Sequence, residues 1–231
     1  MSTSDPQFRL GTATLAEALF ESLRSRIISG QIEPGEKVTE FRLVEEYGVA
    51  RPTAKSCIER LTGLGLLRRV AHKTAVVPKL GAEDIEDLFF SRSTFESTAV
   101  TLLARRREVP TDLVRAQRQI RLAEEHEDFA ELVQADIAFH WGIVLGLGSE
   151  RLTRMYEMIS GEIHMTMGLH RAHRRTTLST VVAEHQVVVD AVAAGDEAAA
   201  RQGLETHIRL AKERVLADLQ EAGTAAEEAT V

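Results

Sequence analysis

A lone cysteine, Cys57, among 231 residues excludes any disulfide within the chain. A protein of this length without cross-links must be held by buried apolar surface, and the missing cysteine pairs suit a reducing compartment. Aromatic residues make up only 5% of the chain, which leaves the core to Leu, Val, Ile and Ala, the residues that pack helices. There are five prolines, and Pro110 alone falls between residues 83 and 220, so long uninterrupted helices are permitted there. No stretch approaches the ~20 consecutive apolar residues that span a bilayer. The opening MSTSDPQFRL has no apolar core behind basic residues, so it does not read as a secretion signal, and a cytoplasmic, membrane-free protein is expected. With 44% hydrophobic and 27% charged residues, the composition is that of an ordinary globular protein large enough for two modest domains.

Its net charge of −7 is unevenly placed. Residues 1–79 hold 12 Lys+Arg against 9 Asp+Glu, whereas residues 80–231 hold 16 against 26. A basic first part on an acidic remainder suggests that one part meets a polyanion and the other does something else.

Residues 1–11 lack periodicity and are expected to form a flexible arm. From Thr12, the spacing Leu15, Leu19, Leu23, Ile27 predicts an amphipathic helix stopped at Gly30. Pro34-Gly35 predicts a turn. A short helix follows, from an N-cap at Thr39 to Glu46, and another starts at Arg51-Pro52, where proline is tolerated in the first turn. Residues 66–70 and 74–78 read as a two-stranded hairpin. These elements define a winged helix-turn-helix domain over 12–78, joined by a linker (79–84) to an all-helical unit over 85–220, with a flexible tail at 221–231. In the second unit, helices are expected near 83–107, 110–125, 128–147, 149–173, 176–194 and 196–219. The fold class is mainly α, the C-terminal part an antiparallel helical bundle.

Helix, turn, helix and basic hairpin is the arrangement that seats one helix in a major groove and a wing against the backbone or minor groove. Between Arg51 and Lys73 stand six basic residues and one acid, Glu59. Arg51 and Lys55 lie one turn apart at the exposed start of the second helix, where arginine can grip a guanine with two parallel hydrogen bonds. Candidate DNA contacts are therefore Arg51, Thr53 and Lys55 on that helix, with Arg69, His72 and Lys73 on the wing. A solvated charged face is the plainer alternative.

The run Leu23 to Val38, with Tyr47-Gly48-Val49-Ala50-Arg51 and Leu61-Thr62-Gly63-Leu64-Gly65-Leu66-Leu67, resembles the DNA-binding domain of GntR-family regulators. The resemblance places Arg51 as the arginine that opens the recognition helix, Lys55 as the basic residue one turn later and His72 as the wing-tip residue near the minor groove. Where the family has Ser-Arg-Thr-Pro-Val-Arg-Glu-Ala-Leu, this chain has Ala50-Arg51-Pro52-Thr53-Ala54-Lys55-Ser56-Cys57-Ile58, and the wing lacks its usual glycine. Lysine cannot copy the planar fork of arginine, so the operator is expected to differ. Cys57 reads as a small buried side chain of this helix rather than a redox switch.

In the helical part, Asp136 and His140 are neighbours on one helix face, which also carries Leu132, Ile143 and Leu147. His185 sits among Val181, Val188 and Val192, and His207 beside Leu204, Ile208 and Ala211. Buried imidazoles and carboxylates need partners. Local hydrogen bonds would serve, and so would one metal shared by all four, with three nitrogen donors and one oxygen donor suiting Zn, Ni, Mn or Fe. The segments Asp136 to His140, Glu184 to Val192, Gly195-Asp196 and His207-Ile208 resemble the C-terminal domain of the FadR subfamily of GntR regulators, the FCD domain. In its metal-containing branch the residues at Asp136, His140, His185 and His207 ligate the ion, and the resemblance extends that role to them. Arg92, one turn before Glu96 on an inward stripe, is either half of a buried ion pair or a guanidinium that grips an effector carboxylate. His164 could edge such a pocket, while His170 and His173 are left without a role.

The expectation is a transcription regulator, a repressor by family resemblance, that binds a palindromic DNA operator as a homodimer and responds to a small carboxylate at its metal site. A metal-dependent enzyme, or an architectural DNA-binding protein with a structural metal, is the alternative.

Overall fold

A computed structural model describes residues 15–69, 74–169 and 176–228. Helix α1 (Leu15–Ile28) buries Leu19, Phe20, Leu23 and Ile27 as one stripe. Strand β1 (Lys37–Val38) leads into α2 (Glu40–Tyr47), whose N-cap Thr39 accepts from Arg42 N and whose C-cap Gly48 is left-handed, with φ 64°. The third helix, α3 (Arg51–Gly63), has Pro52 in its first turn and buries Ala54, Cys57, Ile58 and Leu61.

The wing differs from a simple hairpin. Strand β2 (Ala75–Val76) pairs antiparallel with β1, Lys37 opposite Val76 and Val38 opposite Ala75, while the expected arm 66–70 contributes one isolated bridge, Arg68 to Val76. The turn at Glu33–Glu36 causes this. Gly35 N donates to Val77 O at 2.7 Å and Val77 N to Glu36 O at 3.0 Å, so the chain before α2 takes up the ladder that β2 offers. Residues 70–73, with His72 and Lys73, lie outside the described residues.

Six further helices follow: α4 (Ala82–Arg106), α5 (Thr111–Glu125), α6 (Phe129–Leu145), α7 (Glu150–Leu169), α8 (Leu178–Ala194) and α9 (Glu197–Glu228). Short connections return each against its neighbours, with α4 on α9, α5 on α6 and α8 on α9. Their core is aliphatic, as the scarcity of aromatics required: Ile85, Leu103, Ile120, Leu132, Ile143, Val188 and Leu204 are among its buried members. Gly142 lets α6 approach closely, because a Cβ there would stand 3.1 Å from Leu113 N. Helix α9 runs nine residues past the expected end at 219, through much of the expected tail, since Ala and Glu are strong helix formers and no proline intervenes. None of the described helices is long and apolar enough to cross a membrane.

The two parts meet on α7. Met165 joins the core of the N-terminal part, and Arg68 binds Asp84 at 3.0 Å and Glu162 at 2.9 Å. A Cβ on Gly161 would fall 2.1 Å from Leu64 O. Only glycine lets the loop after α3 lie against α7 in this way.

Candidate metal centre and nucleic-acid interface

Four polar residues that helical periodicity turned inward converge between α6, α8 and α9. Asp136, His140, His185 and His207 are all buried, and one ligand atom from each lies within 4.8 Å of every other. Asp136 Oδ1 is 3.2 Å from His185 Nε2 and 3.8 Å from Nε2 of both His140 and His207. His140 Nε2 stands 3.1 Å from His207 Nε2.

The outer nitrogen of each ring explains how they are aimed. His185 Nδ1 meets the Val181 carbonyl at 2.9 Å, His207 Nδ1 meets Glu184 Oε2 at 2.7 Å and His140 Nδ1 meets Glu96 Oε2 at 2.5 Å. A carbonyl and an ionised carboxylate only accept, so all three Nδ1 atoms carry the proton and donate it. Each Nε2 then presents a bare lone pair to the same point, beside a carboxylate oxygen. Two lone pairs at 3.1 Å repel unless a cation lies between them. Nitrogens bound to one ion at about 2.1 Å, with bond angles of 90–110°, would be about 3.0–3.4 Å apart. The donor set therefore fits a metal ion, and the carboxylate or carbonyl behind each imidazole is the support that metal-ligating histidines have.

Charge in the surrounding shell is organised to keep these rings neutral. Burial lowers His140, and the Arg92 charge adds to that. Burial, followed by the charge of His185, brings His207 down to about 3. Burial alone would raise Glu96, but the charges of His140 and Arg92 and the hydrogen bonds it receives hold it at about 2. Glu96 accepts from Arg92 Nε at 2.9 Å and from the Tyr156 hydroxyl at 2.6 Å, as well as from His140. The Arg92–Glu96 pair is therefore present and is 1% and 0% exposed. Yet Arg92 Nη1, equally buried, has no hydrogen-bond partner among the described residues, so the pairing leaves one donor of the guanidinium free.

Tyr156 and Glu184 belong to this shell and were not singled out from the sequence. Tyr156 was traceable, because it shares an inward stripe of α7 with Ser160, Ile163 and Met167, and a buried phenol needs an acceptor. Glu184 is next to His185 in sequence but turns toward α9, where it also accepts from Arg214 at 3.0 Å. His164 does not join the cluster. It is buried between the two parts, where Arg24 Nη2 donates to its Nδ1 at 3.0 Å, and burial with the nearby Arg24 charge takes it down to about 3. The side chains of His170 and His173 lie outside the described residues.

At the DNA-facing end, Arg51 is 82% exposed at the start of α3, its Nε donating to Glu40 at 2.8 Å. Lys55 is exposed one turn later, 3.8 Å from Glu59, while Thr53 is half-buried and Arg69 exposed. Two of the six basic residues are committed inward. Arg60 forks onto Glu17 at 2.7 and 3.1 Å above the Phe20 ring, and Arg68 ties the wing base to α4 and α7. Burial pushes the Cys57 thiol up to about 11, which makes it a poor nucleophile.

Comparison with known proteins agrees with both halves. The profile of the FCD domain matches residues 87–210, and that of bacterial regulatory proteins of the gntR family matches residues 15–77. The chain is 25% identical over 201 residues to a probable D-xylose utilization operon transcriptional repressor of Paenarthrobacter nicotinovorans, covering 87% of this chain and 88% of that protein. It is 23% identical over 197 residues to the gluconate operon transcriptional repressor of Bacillus licheniformis, covering 83% and 81%. A solved GntR regulator of Rhodococcus sp. RHA1 superposes with a TM-score of 0.73 at 22% identity, over 89% of this chain and 99% of that one. That family is a class of DNA-binding transcription regulators rather than of enzymes. The chain thus belongs to the gntR family of bacterial regulatory proteins, with an FCD domain forming its C-terminal part.

Proposed function

We propose that this transcription regulator is a cytoplasmic repressor whose hold on a palindromic operator is controlled by a small organic acid bound at a metal centre. Asp136, His140, His185 and His207 would hold a divalent transition ion, Zn, Ni, Mn or Fe. The observation that carries the reading is the uniform tautomer of the three imidazoles: every Nδ1 is tied to an acceptor, so every Nε2 lone pair is left for a cation. When bound, the ion would supply Lewis-acid positions for oxygen ligands.

Arg92 supports a carboxylate as the effector. Its guanidinium is buried and anchored through Nε, and Nη1 is an unused donor suited to an anionic oxygen. A small acid bearing hydroxyl groups suits such a polar, enclosed setting better than a long acyl chain. The relative from Bacillus licheniformis is named for the gluconate operon, and a sugar acid has that chemistry. Arg51, Thr53, Lys55 and Arg69, with His72 and Lys73 of the wing, would face the DNA, and a homodimer would present two such surfaces to two half-sites. Helix α7 is the natural coupling element. Tyr156 touches Glu96 in the sensor, while Gly161, Glu162 and His164 of the same helix touch Leu64, Arg68 and Arg24 of the reading domain.

The test is a DNA shift assay on the region upstream of the protein's own gene, using metal-loaded protein and a panel of small carboxylates. One acid is expected to weaken specific binding, and Arg92→Met is expected to abolish that response while leaving DNA binding intact. Specific binding indifferent to every acid, or unchanged between loaded and chelated protein, would overturn the sensor. No specific binding at low salt would overturn the whole reading.

A further inference from the structure

One face of α4 is left uncovered, and its chemistry is unlike the charged surface elsewhere. Phe90, Thr94, Ser97 and Thr101 recur at intervals of four, three and four residues, one continuous stripe of the kind along which helices interlock. Phe90 is 71% exposed. The hydroxyls near it are turned away from solvent: Thr94 donates to the Phe90 carbonyl at 2.9 Å, Thr98 to the Thr94 carbonyl at 2.8 Å and Thr101 to the Ser97 carbonyl at 2.7 Å. With those hydroxyls bonded to the helix's own backbone, the threonine methyls are left to face outward. Between this stripe and α9 runs a groove of about 460 Å³, flanked by Arg201 and Glu205. Ser97, on its floor, is 5% exposed, and its Oγ has no hydrogen-bond partner among the described residues.

We propose that this α4–α9 face is the surface on which a second copy of the chain docks, which deepens the reading of a dimer on a palindromic operator and rests on it. The argument for a second copy is that the face is complementary to itself. If two α4 helices cross antiparallel about a two-fold axis near Phe95 and Glu96, the exposed Phe90 of each falls opposite the small Thr101 of the other, and Thr94 falls opposite Ser97. The stripe from Phe90 to Thr101 rises about 17 Å, enough for three turns of interlocked side chains. Charge follows the same symmetry. Helix α9 runs antiparallel to α4, with Arg105 joined to Glu197 and Glu86 to Lys212, which sets Glu205 beside Thr94 and Arg201 beside Thr98. The same rotation brings Arg201 of one copy within about one turn of Glu205 of the other. Within one chain these two bind only each other, at 2.7 Å and still well exposed, so they are free to exchange partners. A two-fold interface repeats one patch on both subunits, and this patch meets that condition in size and in charge.

The test uses the full metal-loaded chain in sedimentation velocity over a concentration series, with helicity and melting temperature measured alongside. Phe90→Arg and Thr98→Arg alter exposed positions and are expected to weaken self-association by roughly tenfold or more without loss of helix. Arg201→Glu and Glu205→Arg are each expected to weaken it, and the double exchange to restore it. Variants that self-associate like the unaltered chain would overturn the proposal, and so would an unaltered chain that stays monomeric. Operator binding is scored separately: a dimer lost with Phe90→Arg in a protein that never binds operator DNA would leave this surface standing and refute the regulator.

Discussion

Replacing Glu96 by Gln changes one charge and almost no volume, yet the geometry makes it a severe perturbation. One carboxylate oxygen accepts from Arg92 Nε and from the Tyr156 hydroxyl, and the other accepts from His140 Nδ1. An amide has one accepting oxygen. If it serves Arg92 and Tyr156, the NH₂ group faces the Nδ1–H of His140, donor against donor. The ring escapes by moving its proton to Nε2, and His140 then has no lone pair to offer the cluster. Losing an outer partner of a metal-ligating histidine costs about 10–100-fold in affinity, and a reversed tautomer puts Glu96→Gln at the upper end. The substitution also leaves the Arg92 charge without its counter-ion at 1% exposure. Breaking a buried pair from one side costs roughly 3–5 kcal/mol of stability. Competition with a chromophoric chelator measures the first effect, and urea unfolding of metal-free protein measures the second. A variant that binds Zn within twofold of the unaltered protein would refute the tautomer argument. One that loses affinity at unchanged metal-free stability would refute the claim that Glu96 balances Arg92.

The same buried groups make the metal-free protein sensitive to acid. His207 has a folded value near 3 against an ordinary 6.5, so below pH 6.5 the unfolded chain takes up a proton that the folded one does not. Stability should therefore fall as pH drops from 6.5 toward 3, by about 2 kcal/mol from this group alone at pH 5; a flat urea midpoint between pH 7 and pH 5 would contradict it. Gly161→Val places atoms where Leu64 O and the Leu66 side chain already stand, and overpacking of this kind costs roughly 1–3 kcal/mol. It should loosen the reading domain from α7, seen as faster proteolysis in residues 64–69, while metal affinity is retained. Arg51→Ala removes an 82% exposed side chain, so the melting temperature should hold while operator affinity falls by roughly tenfold to several hundredfold. Equal affinity in a shift assay would remove Arg51 from the DNA contacts.

Much of the fold was legible because its signals are local. The stripe Leu19, Leu23, Ile27, the cap at Thr39, the proline in the first turn of α3 and the breaks at Pro110 and Gly195 each act within one or two helical turns, and the helices stand close to where those signals put them. The wing was less legible, because β2 takes its partner from a segment nearly forty residues earlier, and a run of Val and Ala does not say which strand it will join. The end of α9 was missed for the opposite reason. Its Ala/Glu composition reads as a polar tail when a buried stripe is sought, although helix propensity alone carries the segment to Glu228. The docking of the two parts left no trace at all, since a glycine inside a long helix pattern does not reveal that a carbonyl from another domain lies against it.

For the metal centre, the division between what the sequence discloses and what it hides follows the range of each interaction. Asp136, His140, His185 and His207 could be found because each lies in phase with apolar neighbours on its own helix, so that four separate local patterns pointed into one core. What aims them is spread over different distances. His185 is turned by a carbonyl four residues back on its own helix, a contact that any helical histidine could make and that no sequence signal distinguishes. His207 and His140 are turned by Glu184 and Glu96, carboxylates 23 and 44 residues away, and only packing brings them within reach. Those carboxylates are themselves held by Arg214 and by Arg92 with Tyr156, so each ring is one member of a polar network that the bundle closes. This is why a conservative change at Glu96, which touches none of the other three ligands, is expected to act at the metal.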